Sequence, residues 1–121
     1  MPITKYDLEE RTARFGESVV KFCKTLKKDV VLNPLISQLV RSATSVGANY
    51  MEANGASSKK DFINKIFICK KEEQETKHWF RMIVSYLPEK RQEIVVLWVE
   101  ANELSKIFGR VAYTARLSLN N

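Results

Sequence analysis

Four segments of this chain carry apolar residues at alternating spacings of three and four, and three short breaks separate the segments. This spacing places apolar side chains on one face of an α-helix, because a helix turns once every ~3.6 residues. It predicts helices over residues 6–28, 34–53, 59–87 and 89–119. Short connections make sequential helices antiparallel neighbours. The sequence therefore predicts an all-α, up-down-up-down antiparallel four-helix bundle, with residues 1–121 as a single domain.

The breaks contain residues that are typical of helix ends. Asn33 is expected to cap the second helix, with Pro34 at its first position, where a missing N–H costs no hydrogen bond. Ser58 and Asp61 have the spacing of a capping box, which predicts the start of the third helix near residue 59. Pro88 is expected to end that helix, because proline cannot continue it.

Four residues on or beside the apolar stripes bear on packing and chemistry. Glu73 lies on the stripe of the third helix, and Trp98 lies on the stripe of the fourth. Cys23 and Cys69 have neither a CxxC partner nor a histidine nearby. They are therefore expected to be buried free thiols rather than a disulfide or a metal site.

The chain lacks the sequence motifs of enzymes and of membrane proteins. The longest apolar run, residues 94–99, is too short to span a bilayer, and the N-terminus lacks the apolar stretch of a signal peptide. A cytoplasmic location is expected. Glu75 and His78 have the Glu-x-x-His spacing of di-iron bundles, but such a site needs this pair on two helices and His78 is the only histidine. We expect no enzymatic activity, no cofactor and no small-molecule substrate.

Basic residues exceed acidic ones, 20 to 14, which gives a net charge of +6. This balance favours polyanionic partners such as RNA or DNA. Basic residues also form groups on helix faces, which suits phosphate binding with little sequence selectivity. A solubilising surface is the alternative interpretation. The nucleic-acid-binding residues predicted on the third helix are Lys70, Lys71, Lys77 and Arg81.

The third helix has a second heptad row, about 110° around the helix from its core stripe. One buried stripe suffices for each helix of a bundle, so an additional apolar row suggests a partner surface. The alternative is that both rows merge into one broad buried face within the monomer. The residues predicted to form an oligomer interface are Ile68, Trp79, Met82 and Tyr86.

A polar row is predicted on the hairpin of the second and third helices. Folding this hairpin about residues 56 and 57 brings Arg41 to the level of Glu72. A charge pair here would fix the register of the two helices or bridge subunits, whereas a solvated face is the alternative. The predicted network consists of Arg41, Ser45, Asn49, Glu52, Glu72 and Glu75.

Two motifs in this hairpin resemble a known family. They are Gln38-Leu39-x-Arg41-Ser42-Ala43-x-Ser45-Val46-x-Ala48-Asn49-x-x-Glu52 and Lys71-Glu72-x-x-Glu75-Thr76-x-x-Trp79. The chain is similar to the four-helix-bundle proteins encoded in intervening sequences of bacterial 23S rRNA genes, relatives of the accessory proteins of diversity-generating retroelements. The resemblance implies a left-handed bundle and a ring-shaped homopentamer. In the retroelement relatives the ring cooperates with a reverse transcriptase and its RNA, so the resemblance adds a reverse transcriptase to RNA or DNA as an expected partner.

The chain departs from the family pattern at a few positions. Glu73 stands where the family usually has a small apolar residue, and Gly47 and Met51 replace other apolar residues. The sequence as a whole predicts a non-enzymatic, self-assembling bundle that binds RNA or a nucleic-acid-processing partner. The alternative is a structural protein–protein interaction adaptor with no nucleic-acid role.

Overall fold

A computed structural model describes residues 5–120 of the chain. Within this range the protein consists of four α-helices and one 3-10 turn, with no β-strand. The helices are α1 (Lys5–Lys24), α2 (Leu32–Asn54), α3 (Lys59–Tyr86) and α4 (Arg91–Asn120), and the turn Pro88–Lys90 joins α3 to α4. The predicted all-α class is confirmed.

Side-chain contacts show that neighbouring helices run in opposite directions. Arg41 of α2 pairs with Glu72 of α3, whereas Glu52, later in α2, pairs with Lys65, earlier in α3. Contacts between α3 and α4 and between α1 and α2 follow the same rule. The predicted antiparallel four-helix bundle is therefore confirmed.

The core lies along the axis of the bundle and receives apolar side chains from all four helices. The apolar stripes predicted for α1 and α2 are buried throughout. Trp98 of α4 is an exception, because its ring lies at the outer edge between α3 and α4 and remains 39% exposed. The assignment of Trp98 to the core stripe was therefore wrong.

The connection between α1 and α2 differs from the prediction. α1 ends four residues earlier than predicted, and α2 begins two residues earlier, at Leu32. The reason is Asp29, whose carboxylate accepts hydrogen bonds from the N–H groups of Val31 (3.0 Å) and Leu32 (2.7 Å). Asp29 thus supplies the acceptor expected from Asn33. Pro34 lies inside the first turn, where an N–H still has no acceptor within the helix.

The start of α3 agrees with the prediction. Ser58 has an extended backbone, and its hydroxyl oxygen accepts a hydrogen bond from the N–H of Asp61 at 3.0 Å. This contact satisfies one of the free N–H groups at the start of the helix. No helix within residues 5–120 combines the length and apolar character needed to cross a membrane.

Candidate functional site

An arginine clamp joins α2 to α3. Arg41 donates one hydrogen bond to Glu72 Oε2 at 2.9 Å, and its other terminal nitrogen pairs with the carboxylate of Glu75. Its Nε donates to Gln38 of its own helix at 3.1 Å. The side chain of Glu72 is only 11% exposed, so Arg41 neutralises a nearly buried carboxylate. The clamp thus links α2 to α3 at this level of the bundle.

The other predicted members of the polar row do not extend this clamp. Ser45 donates to the carbonyl of Arg41 at 2.6 Å, and Asn49 donates to the carbonyl of Ser45 at 2.9 Å. Both side chains therefore bind the backbone of α2 itself. Glu52 pairs with Lys65 at 3.3 Å. The structure divides the predicted network into a clamp, two local hydrogen bonds and a separate ion pair.

A buried hydroxyl pair behind the clamp was not predicted. The hydroxyl oxygens of Ser42 and Thr76 lie 2.8 Å apart, and both residues are fully buried. Thr76 also lies within hydrogen-bonding distance of the carbonyl of Glu72, at 2.8 Å. The signal for this pair in the sequence was weak. A Ser or Thr hydroxyl on an apolar stripe can equally donate its hydrogen bond to a backbone carbonyl of its own helix.

The second row of α3 is half covered by its own molecule. Trp79 packs against the core and donates its indole N–H to Glu75 at 3.4 Å, whereas Ile68 stays 37% exposed. Tyr86 is 40% exposed and donates its hydroxyl to Asp29 at 2.8 Å. The N–H of Leu32 and this hydroxyl hold the pKa of Asp29 below its ordinary value. Part of this row is therefore buried within the monomer, and Ile68 and Tyr86 stay exposed.

The first half of α4 carries an exposed apolar surface that was missed. Val96 is 70% exposed, and Val95, Trp98 and Val99 are also exposed. The sequence did contain a signal for it. Six consecutive apolar residues at 94–99 extend beyond one helical turn, so some of them must face away from the core.

The four basic residues predicted on α3 do not form one cluster. The ammonium of Lys77 donates to Asn102 at 3.1 Å and lies 5.3 Å from the ring centroid of Trp98, in the groove between α3 and α4. Lys71 lies roughly 120° around the helix from Lys77, on the outer face. Arg81 is exposed, and Lys70 is half-buried beside α4.

Positive charge is instead concentrated at one end of the α3–α4 pair, away from the turn that joins these helices. Residues 59–71 and 104–120 contain eight lysines and arginines and one acidic residue, a balance of +7 against +6 for the whole chain. We call these two segments the basic end. Its cations are Lys59, Lys60, Lys65, Lys70, Lys71, Lys106, Arg110 and Arg116. Among residues 5–120, the ion pairs neutralise only Lys65 of this set.

The thiols and acidic side chains offer no metal centre in the part of the chain that the structure describes. Cys23 and Cys69 are buried free thiols, as predicted. Burial raises the pKa of Cys23 to about 11 and that of Cys69 to about 12. Both thiols are therefore protonated at neutral pH and unreactive as nucleophiles.

Residues 4–110 match the family described as 23S rRNA-intervening sequence protein. The chain belongs to this family. The predicted resemblance to it is therefore confirmed. No curated protein matches the chain.

A solved structure supports the family fold. It is the crystal structure, at 1.70 Å resolution, of a protein with unknown function from the S23 ribosomal protein family of Bacteroides thetaiotaomicron. Its sequence is 28% identical, and the match covers 92% of this chain and 99% of that one with a TM-score of 0.82. The two proteins therefore share one fold over nearly their whole length.

Proposed function

We propose that this protein is a non-enzymatic, self-assembling bundle that binds RNA or DNA, or a partner that processes nucleic acid, through the basic end. The observation that carries the proposal is the balance of +7 on these two segments, while the rest of the chain is close to neutral. Cations without carboxylate partners are free to replace the counterions condensed on a phosphate backbone. Release of those counterions is the main source of sequence-independent affinity.

The proposed surface draws on two helices, whereas the residues predicted from the sequence all lie on α3. Of those residues, Lys70 and Lys71 belong to the basic end, and α4 adds Lys106, Arg110 and Arg116. Helix faces rich in Lys and Arg, without a base-reading module, favour contacts to phosphate over contacts to bases. We therefore propose binding that depends on charge and is weakly selective for sequence.

The binding proposal predicts a loss of affinity from three substitutions at the basic end. The triple variant Lys70→Gln, Lys106→Gln, Arg110→Gln should bind a labelled RNA roughly 10- to 100-fold more weakly at low salt, because it removes three phosphate partners. The slope of log affinity against log salt should fall by about 2 to 3. Fluorescence anisotropy over a salt series measures both quantities.

A matched control removes the same charge elsewhere. Lys24, Lys27 and Lys28 are exposed at the α1–α2 connection, at the end of the bundle opposite the basic end, and their replacement by Gln lowers the net charge equally. If this control variant loses as much affinity as the first, net charge alone explains binding. If neither variant loses affinity, the basic end is not the binding face.

Self-assembly is proposed on the exposed apolar side chains of α3 and α4. Ile68 of α3 is 37% exposed, and Val96 and Val99 of α4 are 70% and 54% exposed. Burial of such surface drives association. Light scattering at micromolar concentration should give a mass several times 14.0 kDa. A monomeric parent protein would contradict self-assembly. If the parent assembles and the double variant Val96→Ser, Val99→Ser is monomeric, α4 forms the interface.

The exposed apolar surface of α4 also favours a second candidate, an adaptor that binds another protein. Single exposed apolar residues are ordinary, but adjacent ones on one helix half are typical of interaction surfaces. Retention on RNA that weakens as salt rises supports nucleic-acid binding. Binding to a protein partner that is lost only when Trp79, Tyr86 or Val96 is substituted supports the adaptor function.

A further inference from the structure

An exposed aromatic ring lies among the free cations of the basic end. Tyr113 of α4 is 66% exposed. It borders a shallow depression of about 540 Å³ lined by Lys106, Gly109, Arg110, Tyr113 and Thr114. The aromatic ring is therefore held next to two cations on a surface that is open to solvent.

Gly109 brings a third cation to this depression. The ammonium of Lys70, from α3, lies 3.7 Å from the point where a Cβ on Gly109 would stand. Because glycine has no side chain, the depression stays open between Lys106 and Tyr113. Lys70 of α3 and Lys106 and Arg110 of α4 thus border the depression, about one helical turn from Tyr113.

A second aromatic side chain lies close by. The guanidinium of Arg116 lies 4.9 Å from the ring centroid of Phe67, which is 38% exposed. Arg116 follows Tyr113 by three residues, so the two side chains are neighbours on the surface of α4. The basic end therefore combines phosphate-binding groups with flat surfaces for stacking.

We propose that this surface binds single-stranded RNA or DNA, with a phosphate held by Lys70, Lys106 and Arg110 and a base stacked on Tyr113. The inference rests on the proposed function and adds the form of the nucleic acid. In a duplex the faces of the bases are already stacked on each other, so an exposed tyrosine on a helix gains little there. In a single strand every base has a free face, and cationic grooves with aromatic side chains bind such strands without sequence preference.

The experiment compares Tyr113→Leu, which removes the ring, with Tyr113→Phe, which keeps it. Each variant and the parent are titrated into a labelled single-stranded RNA of about 12 nucleotides, a length that a small domain can cover, and into the duplex of that strand with its complement. Tyr113→Leu should weaken single-strand binding roughly 5- to 100-fold, the range expected for loss of one stacked base. Tyr113→Phe should bind like the parent, and duplex affinity should be the same for all three proteins.

A second readout reports stacking directly. A strand that contains the fluorescent base 2-aminopurine should change its emission on binding to the parent and to Tyr113→Phe, and much less on binding to Tyr113→Leu. Equal affinity of parent and Tyr113→Leu for the single strand, or equal losses on single strand and duplex, would overturn this inference and leave the proposed function standing. A parent protein that binds neither form would overturn both.

Discussion

Replacement of Glu73 by methionine is expected to raise the free energy of unfolding by about 2 to 4 kcal/mol at pH 7. Glu73 is fully buried, and neither carboxyl oxygen has a hydrogen-bond partner within the described chain. Burial first, and then the charge of Glu100, raise the pKa of Glu73 from 4.5 to about 9. The folded protein must therefore bind a proton at pH 7 that the unfolded chain does not hold. Methionine has a similar length and avoids this cost.

The same residue predicts how stability depends on pH. Its pKa is higher in the folded state than in the unfolded state, where it is near 4.5. The contribution of Glu73 is therefore most favourable below about pH 4.5 and is lost as pH rises toward about 9. Over this window the slope approaches about 1.4 kcal/mol per pH unit.

Urea unfolding of the parent and of Glu73→Met between about pH 5 and pH 8 measures this effect. The difference in unfolding free energy should widen as pH rises. Glu17, which is exposed on α1, provides the control, because Glu17→Met should change stability by less than about 0.5 kcal/mol. A gap between parent and Glu73→Met that stays constant with pH would mean that Glu73 titrates alike in both states.

Replacement of Arg41 by alanine is expected to lower the free energy of unfolding by about 2 to 3 kcal/mol. Arg41 neutralises Glu72 and Glu75 together, and the side chain of Glu72 is only 11% exposed. Its removal leaves a nearly buried carboxylate without a counterion. The loss falls below that of a fully buried pair because the side chain of Arg41 is itself 45% exposed.

A double-mutant cycle isolates the interaction itself. Coupling between Arg41→Ala and Glu72→Ala should reach about 1 to 2 kcal/mol. The i,i+4 pair of Arg14 with Glu10 is a matched control, since its side chains are 74% and 57% exposed and its coupling should be about 0.3 to 0.5 kcal/mol. If the coupling free energy in the Arg41 cycle is no larger than that of the control pair, the clamp is only a solvated contact.

The four helices and their buried faces were predictable from the sequence because both depend on local spacing. Apolar periodicity predicted one buried face on each helix, and Leu39 and Phe80 are examples of residues that recur at this spacing and are fully buried. Ser58 marked the start of α3 through a contact within one turn. The start of α2 was predicted two residues too late. The prediction took Asn33 as the cap, whereas the carboxylate of Asp29 accepts the hydrogen bond from the N–H of Leu32 and caps the helix from within the loop.

The candidate surface was only partly predictable. The sequence places Lys70 and Arg110 in separate basic groups, about 40 residues apart on helices with several faces each. Only the antiparallel packing of α3 on α4 brings Lys70 beside Gly109 and leaves Tyr113 exposed. It also decides that Lys77 binds Asn102 instead of facing solvent.

The sequence by itself therefore determined the helices, the bundle and the family motifs, since each is encoded by residues a few positions apart. The tertiary structure decided which charges lie together, which apolar side chains remain exposed and that the carboxyl of Glu73 has no hydrogen-bond partner among residues 5–120. These features depend on distances between helices that are far apart in the chain. Such distances are set by the packing of whole helix faces, which no local spacing encodes.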